Sequence, residues 1–200
     1  MPETYEVLYG ERFLTDFRRI ITDPNRSQLR DQMLTEIEAL RHGTSDGHHP
    51  LGYSKGKGDL RDCVASKVQS DPNKRADYRL VFREMPPEQP GGLPRRELLA
   101  IKPRHGHNGV YAHLCARLHR HRNDLQPGLN VFGDRPAGSG GNQAQRKAEL
   151  DAKRAVAMAY KGQRPLPTSR PLSAELLARV IGPARAGPTR SARPTPSRSR

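Results

Sequence analysis

The segment YRLVFREM, residues 78–85, places Tyr78, Leu80 and Phe82 on one side and Arg79, Val81 and Arg83 on the other. A period of two is the mark of a strand, and here one face is apolar while the other carries arginines. The next stretch, PPEQPGGLPR (86–95), holds four prolines and two glycines and predicts a loop longer than a hairpin turn. ELLAIK (97–102) then returns as a strand apolar enough for the centre of a sheet. Upstream, CVASKV (63–68) predicts a third strand.

Working outward, TYEVLYG (4–10) sets Tyr5, Val7 and Tyr9 against Glu6 and Leu8, which suits a short strand. In ERFLTDFRRII (11–21), Phe13, Phe17, Ile20 and Ile21 fall on one helical face. Asp23-Pro24 interrupts the chain and starts the next element. Leu29, Met33, Ile37 and Leu40 keep helical spacing over 27–42, with Gly43 as the stop. Residues 43–59 are Gly-rich and irregular. A last helix is predicted from about Gly109 to His121, with Val110, Leu114 and Leu118 on one stripe. The order β-α-α-β-β-β-α predicts an α+β fold, an antiparallel-rich sheet with helices on one face.

The chain of 200 residues is 34% apolar, lacks tryptophan and carries a net charge of +14. Residues 125–200 hold 14 Lys/Arg against 4 Asp/Glu, so most of the excess lies there. A phosphate-rich partner is the natural counterpart, and a solvated basic tail the plainer reading. The organisation predicted is a domain over 1–124, a linker over 125–142, two short helices within 143–182 and a disordered tail over 183–200. That tail has five arginines and no acid. In 143–162 the apolar face is built of alanines, Val156 and Met158, marginal for a helix alone in water. Cys63 and Cys115 are too few for a disulfide scaffold and are predicted as small core residues. No stretch approaches the ~18 apolar residues of a membrane span, and the acidic N-terminus is no signal peptide, so a cytoplasmic location is expected.

This order of elements, with two motifs, resembles the RelE/ParE superfamily of bacterial toxins. DYRLVFR (77–83) is similar to that family's Tyr-Arg strand. LLAIKPRHGHNGVYAHLCARL (98–118) is similar to its late strand, arginine-bearing loop, Val-Tyr pair and closing Arg-Leu. The likeness covers about residues 4–120. It implies a toxin of a type II pair, held inactive by a cognate antitoxin. The activity implied is either ribosome-dependent cleavage of mRNA, without metal or cofactor, or binding and poisoning of DNA gyrase. By motif match, Arg79, Arg104 and Tyr111 carry the family's catalytic positions.

Cleavage of RNA requires that the ribose hydroxyl lose a proton, the phosphorane be stabilised and the leaving oxygen regain a proton. Arginine suits the phosphate because its fork pairs two oxygens and stays charged. A free phenol has a pKa of ~10, so acid catalysis or base stacking is the role that needs no shift. His107, beside Arg104, titrates near neutrality and is a further acid or base candidate. Arg61, Lys67, Arg83 and Lys102 are candidates for the RNA backbone. Lys55 and Lys57 in GYSKGKGD (52–59) join them, since that loop lacks a phosphate-loop ending and a preceding strand.

Five histidines crowd into residues 101–122. His105 and His107 precede the predicted helix, while His113 and Cys115 lie two apart within it and point to different faces. No metal site is read from them. His119, Arg120, His121 and Arg122 read as a solvated basic helix end. A third functional reading is a catalytically silent RNA-binding protein whose affinity comes from the arginine tail.

Overall fold

The computed structural model describes residues 4–54, 58–73, 75–106, 109–121, 123–126, 129, 143–159, 164–173, 175–176 and 179. Strand β1 (Glu6–Tyr9) leads into helix α1 (Glu11–Ile21). A 3-10 turn, Pro24–Arg26, follows and is capped by the Asp23 carboxylate, which accepts from the Asn25 N–H at 3.0 Å. Helix α2 (Ser27–Arg41) buries Leu29, Met33, Ile37 and Leu40, the stripe its spacing predicts. It stops at Gly43, whose φ of +67° is the left-handed conformation. A Cβ there would also lie 3.0 Å from Thr4 Oγ1, so glycine serves both the turn and the close approach of the N-terminal chain.

Three two-residue strands, β2 (His49–Pro50), β3 (Tyr53–Ser54) and β4 (Gly58–Asp59), occupy the segment predicted as irregular. Strands β5 (Cys63–Val68), β6 (Tyr78–Met85) and β7 (Arg95–Pro103) form the predicted antiparallel meander. Helix α3 (Val110–Arg117), helix α4 (Gln143–Ala159) and strand β8 (Arg170–Pro171) complete the described chain. The main sheet runs β2-β5-β6-β7-β1-β8, with β1 parallel to β7 and the other pairs antiparallel. The fold is α+β with a mixed six-stranded sheet.

Both faces of this sheet are covered. Val64, Val68, Leu80, Phe82, Leu98 and Ile101 pack with Phe13, Phe17 and Ile20 of α1 and the apolar stripe of α2. The alternate residues Cys63, Ala65, Val81, Leu99 and Ala100 pack with Val110, Leu114 and Cys115 of α3. The expectation of helices on one face therefore holds for α1 and α2 and fails for α3. The reason is that Val81, between the two arginines of β6, needs an apolar cover that charge alone does not supply. Both cysteines are buried.

Pairing between β6 and β7 shifts register between Val81 and Phe82, since Val81 faces Ala100 but Phe82 faces Leu98. Leu99 is the extra residue of this bulge. Its carbonyl accepts a hydrogen bond from Arg117 Nη1, which ties α3 to the irregular point of the sheet.

The domain boundary predicted at 124 is not where the packing ends. Leu150 of α4 and Leu172 belong to the same core as α1 and α2, and β8 extends the sheet beyond β1. The small apolar face of α4 is supplemented by a buried lysine. Lys153 Nζ donates to the carbonyls of Leu51 (3.0 Å), Cys63 (3.2 Å) and Arg61. Most of the predicted linker, most of the second short helix of the 143–182 segment and the 183–200 tail lie outside the described residues.

Candidate functional site

The register of the meander places Lys67, Arg79 and Lys102 directly across from one another on β5, β6 and β7. They share a sheet face because cross-strand partners point the same way. This is the face covered by α3. Arg79 is little exposed, and its Nη1 donates to the carbonyls of Tyr78 (2.6 Å) and Ala76 (3.0 Å). That anchors the guanidinium at the start of β6.

Arg104 follows β7 directly and is exposed. Its backbone N–H donates to Asp77 O at 2.7 Å, which pins the loop to the chain entering β6. Gly106, at φ +94°, and the Gly109 N–H to Gly106 O bond (2.9 Å) turn the chain into α3. Tyr111 is the second residue of that helix and half-buried. Burial lowers the pKa of the Arg79 guanidinium. The Tyr111 phenol opposes this by charge and by a hydrogen bond, and the nearby Arg104 charge lowers it further. The structure thus brings Arg79, Arg104 and Tyr111 together where the β6–β7 ladder meets α3, with exposed Lys67 beside them. Two guanidinium groups and a phenol around one mouth can bind a phosphate on two sides and donate a proton to a third oxygen.

The other basic candidates are turned to internal partners. Lys102 is buried with its Nζ 3.0 Å from Asp16 Oδ1 of α1. The second oxygen of Asp16 accepts from Arg117 Nη2 at 2.7 Å. Arg61 is 2% exposed and forks onto Asp59 through Nε (2.9 Å) and Nη2 (2.8 Å). Arg83 pairs with Glu97 at 2.7 Å, and its Nη2 donates to Arg164 O. Arg61 and Arg83 are therefore not placed to meet an RNA backbone. Each is buried beside a carboxylate that satisfies it, and removing it from that partner would leave a charge unpaired.

The solvated helix end holds for His119 and His121, which are exposed, and fails for Arg120. Helix α3 stops at Arg117, because His119 takes φ +53°. The chain turns there, and Arg120 forks onto both oxygens of Asp62 at 2.6 Å. His107, Lys55, Lys57 and Arg122 lie outside the described residues.

Two groups near the mouth were not singled out by the sequence for a role in it. Asp16 is a polar residue on the edge of an otherwise apolar helical face, and only its 101-residue separation from Arg117 hid the pairing. His113 stands on the flank of α3 away from Tyr111. Burial and the Lys102 and Arg117 charges push its pKa down, against Asp16.

Among the described residues no helix is long and apolar enough to cross a membrane. Comparison with family models, curated proteins and solved structures finds no match.

Proposed function

We propose that the chain is the toxin of a type II toxin–antitoxin pair and acts as a metal-free, ribosome-dependent mRNA endoribonuclease. The observation that carries this reading is the meeting of Arg79, Arg104 and Tyr111 at one mouth, close enough for the Tyr111 phenol and the Arg104 charge to act on the Arg79 guanidinium. In the reaction, a ribose 2′-oxygen attacks the adjacent phosphorus as its proton passes to water, the P–O5′ bond breaks, and a 2′,3′-cyclic phosphate is left. Arg79 and Arg104 balance the charge of the phosphorane, and Tyr111 returns a proton to the departing 5′-oxygen. Arg79 is held by two carbonyls, so its geometry is set before substrate arrives. An acidic or amphipathic antitoxin would silence the protein by covering this mouth.

The test is cleavage of mRNA by the purified chain with ribosomes supplied. Arg79→Ala should lose about 100-fold or more, and Tyr111→Phe a similar factor. Equal rates in wild type and both variants would sink the reading. A second reading, binding to DNA gyrase without cleavage, is favoured by one observation. Arg61, Arg83 and Lys102 are committed to carboxylates, which leaves few cations for an RNA backbone at the mouth. Inhibition of supercoiling with RNA left intact would select it.

A further inference from the structure

Helix α1 carries three arginines that the fold does not use. Arg12, Arg18 and Arg19 are exposed, and no carboxylate among the described residues pairs with them. The other helices behave differently wherever an arginine side chain is described. Arg30 pairs with Asp31, Arg41 with Glu38, Arg117 with Asp16 and Arg154 with Glu84. The unpaired set is thus peculiar to one helix.

Its position is equally particular. Arg12, Asp16 and Arg19 lie at i, i+4 and i+7, one stripe of α1. Asp16, the centre of that stripe, is buried and spent on Lys102 and Arg117. Its negative charge is therefore not available to Arg12 and Arg19, which lie about 6 Å and about 4.5 Å from it along the helix axis. Lys102 in turn faces Arg79 across the β6–β7 ladder. From exposed Lys67 to Lys102 is two strand spacings, about 10 Å. Lys102 and Arg117 share the single charge of Asp16, so that buried cluster keeps a net positive charge, and a band of it runs from Lys67 past Arg79 onto α1. Lys102, the cross-strand neighbour of Arg79, touches Asp16 at the centre of the α1 stripe, which sets that stripe next to the mouth.

We propose that the Arg12/Arg19 stripe of α1 is a second phosphate-binding surface, which takes the backbone of the single-stranded RNA that continues from the Arg79 mouth. The choice of RNA as the polyanion rests on the function proposed above. The stripe itself stands on the geometry of α1.

The experiment measures binding rather than cleavage. Full-length protein is titrated into fluorescein-labelled, unstructured 2′-O-methyl RNA of about 12 and about 4 nucleotides, at a series of salt concentrations. Each lost phosphate contact to a single strand should lower the slope of log K against log salt by about 0.7. Arg12→Gln/Arg19→Gln should therefore lower the slope by about 1.4 on the long RNA, and leave it unchanged on the short one. Arg30→Gln, a half-exposed arginine on α2 with its own carboxylate, should change neither.

The surface is overturned if the double variant keeps the wild-type slope on the long RNA, if Arg30→Gln lowers it as much, or if the wild type binds neither RNA. The ribosome cleavage assay separates the two ideas. Cleavage with an unchanged slope removes the α1 surface alone. No cleavage with a lowered slope removes the nuclease and keeps the surface.

Discussion

Asp62 is buried and surrounded by cations. Burial on its own would raise its pKa. The fork from Arg120 and the charges of Arg120, Arg83 and Lys153 overcome that and hold the carboxyl at about 2, below its ordinary 3.8. A depressed folded value means stability that is complete above about pH 4 and lost as pH falls through 2. The difference corresponds to roughly 2 kcal/mol. Urea unfolding at stepped pH should show the wild type losing that amount between pH 4 and 2 beyond what Asp62→Asn loses. Parallel curves for the two proteins would contradict the pairing. Asp62 also fixes why Arg120 is absent from the surface. A fork with two bonds of 2.6 Å outcompetes water for a guanidinium.

At the level of elements, α4 is the most instructive. Its alanine-rich face cannot hold it to the sheet, yet it is packed there by Leu150 and by the buried ammonium of Lys153. Burial lowers the Lys153 pKa, against the Cys63, Glu149, Asp62 and Asp59 charges, so the group is retained for its hydrogen bonds to carbonyls. Lys153→Met keeps the stem and removes the donor. It should cost about 2–3 kcal/mol, read as a lower denaturation midpoint, with faster amide exchange in α4 than in α2. Helix α3 shows the same logic. Arg117 satisfies the carbonyl freed by the bulge at Leu99, so the helix that carries Tyr111 is fastened at the point where the ladder is irregular.

For the whole molecule, the packing redraws the division between domain and tail. Leu150 and Leu172 each bury a side chain worth about 2 kcal/mol in the main core. Strand β8 covers the edge of β1, and Glu97 accepts from the Leu166 N–H and the Ser169 hydroxyl on the other face. A chain ending at residue 182, which keeps Leu176 against the core, should therefore keep its denaturation midpoint and shed only tail charge, which appears as a shallower salt dependence of RNA binding. A chain ending at 124 should expose the β1 edge and self-associate on size exclusion. If the shorter chain stays monomeric and equally stable, residues 143–172 are an appendage after all.

Local periodicity made most elements readable. YRLVFREM and the Leu29–Leu40 stripe each encode their own conformation, because strand and helix place side chains on a face within a few residues. The meeting of Arg79, Arg104 and Tyr111 was partly legible for the same reason, since all three sit within one strand–loop–helix run of the chain. Which arginines remain free was not legible. Arg83 meets Glu97 across 14 residues, Arg120 meets Asp62 across 58 and Arg117 meets Asp16 across 101. A charge written in the sequence can be solvated or paired, and only the closure of distant elements brings its partner within the few ångströms at which pairing outweighs desolvation.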